Sequence, residues 1–181
     1  MIDISKRNYL IWKGIQVICW LIFIGYCIQT GTLIFNYIFS LFQPQGAHNL
    51  HLGLDLSELY FKNKSIYSVV FILVVTISAL KSYIFFIVLK LFKSLNTSKP
   101  FSQNVSALIT KITYFNLSIG IISIIAQEFI DQLSGYGYNV GVVDRYWNDG
   151  GGYLVMTVIL FAVAFILKTG IELQNENDLT V

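Results

Sequence analysis

The chain has 181 residues, of which 55% are hydrophobic and only 12% charged, and its mean hydropathy is +0.66. A soluble domain carries about 25% charged residues, so this composition excludes an ordinary water-soluble fold and makes lipid the expected solvent. The net charge of +2 identifies no partner by itself; the placement of the lysines carries the information.

The N-terminal stretch Met1–Lys13 is short and basic, with Lys6, Arg7 and Lys13 against Asp3. An uncharged run from Gly14 to Phe42 follows. A signal peptide has a shorter apolar core and a small-residue cleavage site, so the run predicts a first transmembrane helix over 14–42. Trp12 and Trp20 suit one interface and Tyr37 the other. Cys19 and Cys27 lie eight apart on this run. On a helix that is a rise of about 12 Å, too far for a disulfide.

Residues 43–64 form a first loop. Within it Leu50, Leu52, Leu54 and Leu56 alternate with His51, Gly53, Asp55 and Ser57. A period of two predicts a half-buried strand, so a small β-containing cap is expected. On a strand His48 and His51 point to opposite faces, which argues against a shared metal.

A second helix is expected over 65–95, apolar to about Leu89 and interrupted by Lys81. A charge inside a span is costly and signals function by default. Its long stem can also snorkel toward an interface. In an antiparallel hairpin with the next helix, equal depth pairs Lys81 with Asn116. Two readings stand: snorkelling toward the cytoplasm or a bond to Asn116, and a ligand or anion site.

The inner loop, 96–104, lies within Lys90–Lys111, a stretch with Lys90, Lys93, Lys99 and Lys111 and no acidic residue. Short lysine-rich loops stay in the cytoplasm. Pro100 cannot continue a helix and disfavours helical backbone at Lys99. Ser102 is placed to cap the next helix.

That helix, 105–130, carries Ser106, Thr110, Thr113, Asn116, Gly120, Ser123 and Gln127 on one face. Small and polar residues gather where membrane helices touch. Gly25, Gln29, Thr32 and Asn36 form a matching face on the first helix. The stripe reads as a packing seam or, alternatively, as a polar pathway or ligand groove. A second outer loop, 131–152, is rich in Gly and Tyr, and its piece Tyr138–Trp147 is a weaker strand candidate. A fourth helix is expected over 153–168, then a polar tail, 169–181, in which Glu172, Glu176 and Asp178 form an acidic cluster. Docking of this cluster on the lysines of the inner loop, or a solvated frayed end, are the two readings of the tail.

Eight basic residues fall on the inner side (Lys6, Arg7, Lys13, Lys90, Lys93, Lys99, Lys111, Lys168) and three on the outer (Lys62, Lys64, Arg145). This bias places both termini in the cytoplasm. The expectation is one all-α integral membrane domain with four transmembrane helices and a small outer β-containing cap. No P-loop, dinucleotide fingerprint or metalloprotease motif occurs, and no nucleophile elbow. No catalytic residue, cofactor or metal is assigned, and no enzyme is expected.

Two passages carry a resemblance. Lys99-Pro100-Phe101-Ser102, followed by a lysine-bearing apolar helix, and the C-terminal Gly170-Ile171-Glu172-Leu173-Gln174-Asn175-Glu176-Asn177-Asp178-Leu179-Thr180-Val181 resemble the bacterial family labelled domain of unknown function 2975. That family typically ends in Gly-x-Glu-Leu-Gln-x-Glu-Asn-Asp-Leu-Thr. The resemblance implies a small four-helix protein of unassigned activity in the bacterial inner membrane. It also implies a small helix-turn-helix regulator as a partner, since such regulators are often encoded beside family members. Direct contact with nucleic acid is not expected; a homo-oligomer is left open. The functional expectation is a membrane-embedded regulatory or sensing partner of a cytoplasmic protein. The alternative is a small transporter using the polar seam. The candidate functional residues are Lys81, Asn116, Gln127, Gln29, Glu172, Glu176 and Asp178.

Overall fold

The structure is a computed structural model that describes residues 2–48, 50–94 and 102–178, with side chains described from Tyr9 to Glu176 apart from Leu52. Among the described residues five α-helices run in the order α1 (Ile2–Phe42), α2 (Ser57–Lys62), α3 (Lys64–Ser94), α4 (Gln103–Gly135) and α5 (Gly150–Asp178). Four of these, all but the short α2, are long and apolar enough to cross a membrane. α3 matches the sequence reading to within one residue at each end, and the other three are longer: α1 begins at Ile2 rather than Gly14, α4 runs from Gln103 to Gly135 rather than over 105–130, and α5 runs from Gly150 to Asp178 rather than stopping near Lys168. The polar tail therefore continues the fourth spanning helix. Ser102 caps α4 as its sequence predicts, its hydroxyl accepting from the Val105 N–H at 3.3 Å.

The spanning helices pack in chain order, α1 on α3, α3 on α4 and α4 on α5, while among the described residues α1 and α5 do not approach along their backbones. The α1–α3 seam is a ladder of aromatic rings: Trp12 with Phe92, Phe23 with Phe86, Tyr26 with Phe85, and Tyr37 with Tyr67 and Phe71. Aromatic pairs at such separations add to plain area burial, which suits a seam in lipid where the hydrophobic effect drives no helix association. Between α3 and α4, Tyr83 meets Phe115 edge to face at 4.8 Å.

The α4–α5 seam is built differently. A Cβ on Gly120 would run into the Leu154 side chain, and one on Gly150 into Ser123. Small residues here let two backbones come close, and the polar stripe of α4 is that contact face: Thr113, Asn116 and Ser123 are all buried. The matching face expected on α1 lies elsewhere; Gly25 looks onto open space.

The cap corrects the sequence reading. No strand occurs among the described residues; Leu50 and Leu54 form one isolated antiparallel bridge. Between them His51–Gly53 makes a turn of 3-10 helix. Gly53 takes φ 71°, a left-handed backbone that glycine adopts without cost, so the chain reverses there instead of extending. Tyr138–Trp147 is not a strand either: Gly141–Tyr146 is a 3-10 helix. Alternation nevertheless marks burial correctly, because Leu50, Leu54 and Leu56 all enter the core; the side chain of Leu52 lies outside the described residues. Val140 is buried with them, but Val142 faces out. The cap core also takes in Ala47, Leu59, Tyr60, Val143 and Trp147, packed against the cap-side ends of α1, α3 and α4.

Candidate functional site

Lys81 sits on α3 with its side chain almost wholly buried. Its ammonium reaches the carboxylate of Asp149 at 2.7 and 2.8 Å and donates to the Tyr146 carbonyl at 2.9 Å. It also lies 5.4 Å from the ring centre of Tyr153. An ammonium has three donors, and all three have an acceptor here. Asp149 stands where the last loop becomes α5: its carbonyl accepts from the N–H groups of Gly152 and Tyr153. Its carboxylate therefore lies at the positive end of the α5 dipole and faces the buried lysine. The side chain of Asp149 is 45% exposed, so the pair is dry on one side and wet on the other.

The direction of Lys81 departs from the expectation. A helical side chain leans toward the helix N-terminus, which on α3 is the end carrying the cap. Lys81 accordingly reaches toward the cap and not toward the inner loop. Asn116 is not its partner; the Asn116 amide donates to the Ile112 carbonyl within α4.

Around the pair is a small polar cavity of about 160 Å³, lined by Tyr26, Gln29, Ser78, Lys81, Arg145 and Asp149, among others. Gln29 thus joins Lys81 in one site. Gln127 does not line it but anchors the loop that does: its carbonyl oxygen accepts from the Trp147 indole at 3.0 Å, and its amide donates to Asp131 at 2.9 Å. Arg145 ties the two loops of the cap, donating to the His51 carbonyl at 3.4 Å. Glu172 and Glu176 lie far from this cavity, exposed near the opposite end of α5. The side chain of Asp178, and Lys99 of the inner loop, lie outside the described residues.

Sequence reasoning placed Lys81, Gln29 and Gln127 among the candidates and missed Asp149, Tyr26, Ser78 and Arg145. Asp149 had a signal of its own: it is the last acidic residue before an uncharged helix, where a carboxylate can sit at the membrane edge. The lean of Lys81 toward the cap was the second clue.

Four long apolar helices joined by a compact, partly polar cap define a multi-pass membrane protein. The chain belongs to the family described as Protein of unknown function (DUF2975), whose family model matches residues 51–181. The matched residues include Lys81, Gln127, Arg145 and Asp149, while Tyr26 and Gln29 of α1 precede them. No curated protein and no solved structure matches the chain.

Proposed function

We propose that the protein is a membrane-embedded regulatory or sensing subunit that couples its outer cap to a cytoplasmic partner through α5. The observation that carries this reading is the continuity of α5. One unbroken helix runs from the Lys81–Asp149 pair to the acidic residues Glu172 and Glu176. A helix of this kind transmits a shift or rotation at one end to the other.

Bilayer placement supports the reading. Gly150–Leu167 carries no charge and at about 1.5 Å per residue spans about 27 Å, close to the hydrocarbon thickness of about 30 Å. Asp149 then marks the outer boundary and Lys168 the inner one. Ser123 is level with Gly150, and the Tyr83–Phe115 contact brings the boundary to about Val75 on α3. Lys81 lies six residues further in, a depth of about 9 Å, within reach of an outward-snorkelling side chain. The outer ends of α1, α3 and α4 then stand above the bilayer and hold the cap. Both termini face the cytoplasm of a bacterial inner membrane in this placement. The chain acts without catalysis, and a small helix-turn-helix regulator is the partner the family resemblance implies.

The test is co-purification from gently solubilised membranes of the full chain and of a chain lacking 170–181. The reading requires a cytoplasmic protein retained by the first and lost by the second. The polar cavity favours a second reading, a small transporter. Substrate flux in proteoliposomes, abolished by Lys81→Met and unaffected by tail removal, would select that reading instead.

A further inference from the structure

We propose that the groove between α1 and α3, with the two lysines at its cytoplasmic end, is a binding site for an anionic phospholipid of the inner leaflet. The register of the α3–α4 hairpin places those lysines. The Asn104 amide donates to the Ser94 hydroxyl at 3.0 Å across the base of the hairpin. Lys90 is four residues from Ser94 and Lys111 seven from Asn104, so their backbones stand about 6 and 10 Å above that base. Tyr114 meets Phe161 of α5, which puts Lys111 about 6 Å on the membrane side of Lys168. Both lysines thus lie where a snorkelling side chain reaches the headgroup layer.

The two cations share one rim. The Lys90 ammonium lies 4.5 Å from the ring centre of Phe86, and that of Lys111 lies 5.6 Å from the ring centre of Tyr83. The two rings are neighbours, 6.0 Å apart. Both lysines are exposed, and among the described residues neither has a carboxylate at ion-pair distance. Like charges at the edge of a low-dielectric layer call for an anion, and basic pockets between helices on the cytoplasmic side of a membrane take acidic headgroups. A ring engages an ammonium through its face and leaves N–H donors for phosphate oxygens.

The same rings open the groove. Tyr83 and Phe86 line a mostly apolar depression of about 430 Å³, together with Phe23 and Gly31 of α1 and Ala79 of α3. Ala79 is eleven residues from Lys90, about 16 Å along the helix, close to the depth of one leaflet, about 15 Å. A headgroup held at the rim therefore lays its chain along the groove in the direction the inner leaflet requires. Gly31 faces open space and Phe86 is exposed, so lipid enters from the side. The choice of leaflet rests on the orientation proposed above, and the site is independent of the cytoplasmic partner.

The test uses the full chain in detergent, titrated with phosphatidylglycerol or phosphatidylcholine and read by native mass spectrometry. Lys90→Gln and Lys111→Gln are each expected to weaken phosphatidylglycerol binding about fivefold and to leave phosphatidylcholine unchanged. Lys93→Gln removes the same charge one turn away, off the rim, and changes binding by less than about twofold. Gly31→Leu fills the groove from α1 and Ala79→Leu from α3, and each weakens both lipids. Glycerol phosphate, a headgroup without a chain, does not compete. Melting curves of each variant, matched to the parent, show that the fold is intact. Parent-like binding in the double variant of Lys90 and Lys111, or a loss in Lys93→Gln as large as in Lys90→Gln, overturns the site. Parent-like binding in the two leucine variants, or competition by glycerol phosphate as effective as by lipid, overturns the groove. A cysteine at Asn148 that is labelled only from the cytoplasm overturns the choice of leaflet. Loss of tail-dependent capture with lipid binding intact contradicts the regulatory reading alone.

Discussion

The ammonium of Lys81 has an acceptor for each of its donors, while the carboxylate of Asp149 keeps one side in solvent. This asymmetry predicts unequal single mutants. Asp149→Asn leaves a buried cation without its counter-charge, and removing one partner of a buried pair costs about 3 kcal/mol or more. Lys81→Met leaves only a half-exposed carboxylate, which water can solvate, and costs about 1 kcal/mol, near the value of an exposed pair. The double variant recovers most of the loss of Asp149→Asn. Thermal unfolding of the four proteins in one detergent closes the cycle; additive losses would contradict the pairing. A second residue-scale prediction concerns the cap. The Ser57 hydroxyl and then the Ser57 backbone N–H hold the Asp55 carboxyl below its ordinary range, with His48 at 3.5 Å adding to it. A lowered folded pKa contributes stability above the unfolded value of about 3.9, and that stability is lost as pH falls through the lower folded value. Protection of the Ser57 amide, measured by hydrogen exchange relative to the intrinsic rate, should fall across that acid window. It should be pH-independent in Asp55→Ala.

At the scale of elements, α5 packs on α4, and Gly120 and Gly150 leave no room for a Cβ at that seam. Gly150→Ala places a methyl group against the Ser123 side chain. Overpacking of this kind costs about 1–3 kcal/mol, and Ser123→Gly in the same chain should return part of it. No loss on Gly150→Ala would mean that the two helices are further apart than the structure places them. The four spans were legible from hydropathy because lipid demands long uninterrupted apolar helices. The polar stripe of α4 was legible as a seam because small residues permit close backbones. Two things were not legible. The strand expected at Leu50–Leu56 fails because alternation reports which side chains are buried and not how the chain travels between them; Gly53 reverses it within three residues. The start of α1, the cap end of α4 and the two ends of α5 were missed because hydropathy marks where lipid stops and says nothing about a helix continuing beyond it.

For the whole molecule, the row α1–α3–α4–α5 keeps the backbones of its first and last members apart among the described residues, and side chains from α1 and from the start of α5 meet around one polar cavity. Lys81, Gln29 and Gln127 could be singled out by being polar in apolar runs. Of their partners, Asp149 had a signal at the edge of an uncharged helix, but Arg145 and Tyr146 had none, because they come from a loop whose path depends on three helices at once. The proposed bilayer placement, with Asp149 at the outer edge and Glu172 beyond the inner edge, is the claim on which the sensing role depends. Single cysteines at Asn148 and Asn175, in a chain with Cys19 and Cys27 changed to serine, test it most directly in intact cells. The account predicts that a membrane-impermeant maleimide labels the Asn148 position from outside and reaches the Asn175 position only after the membrane is opened. Labelling of both positions from the same side would contradict it.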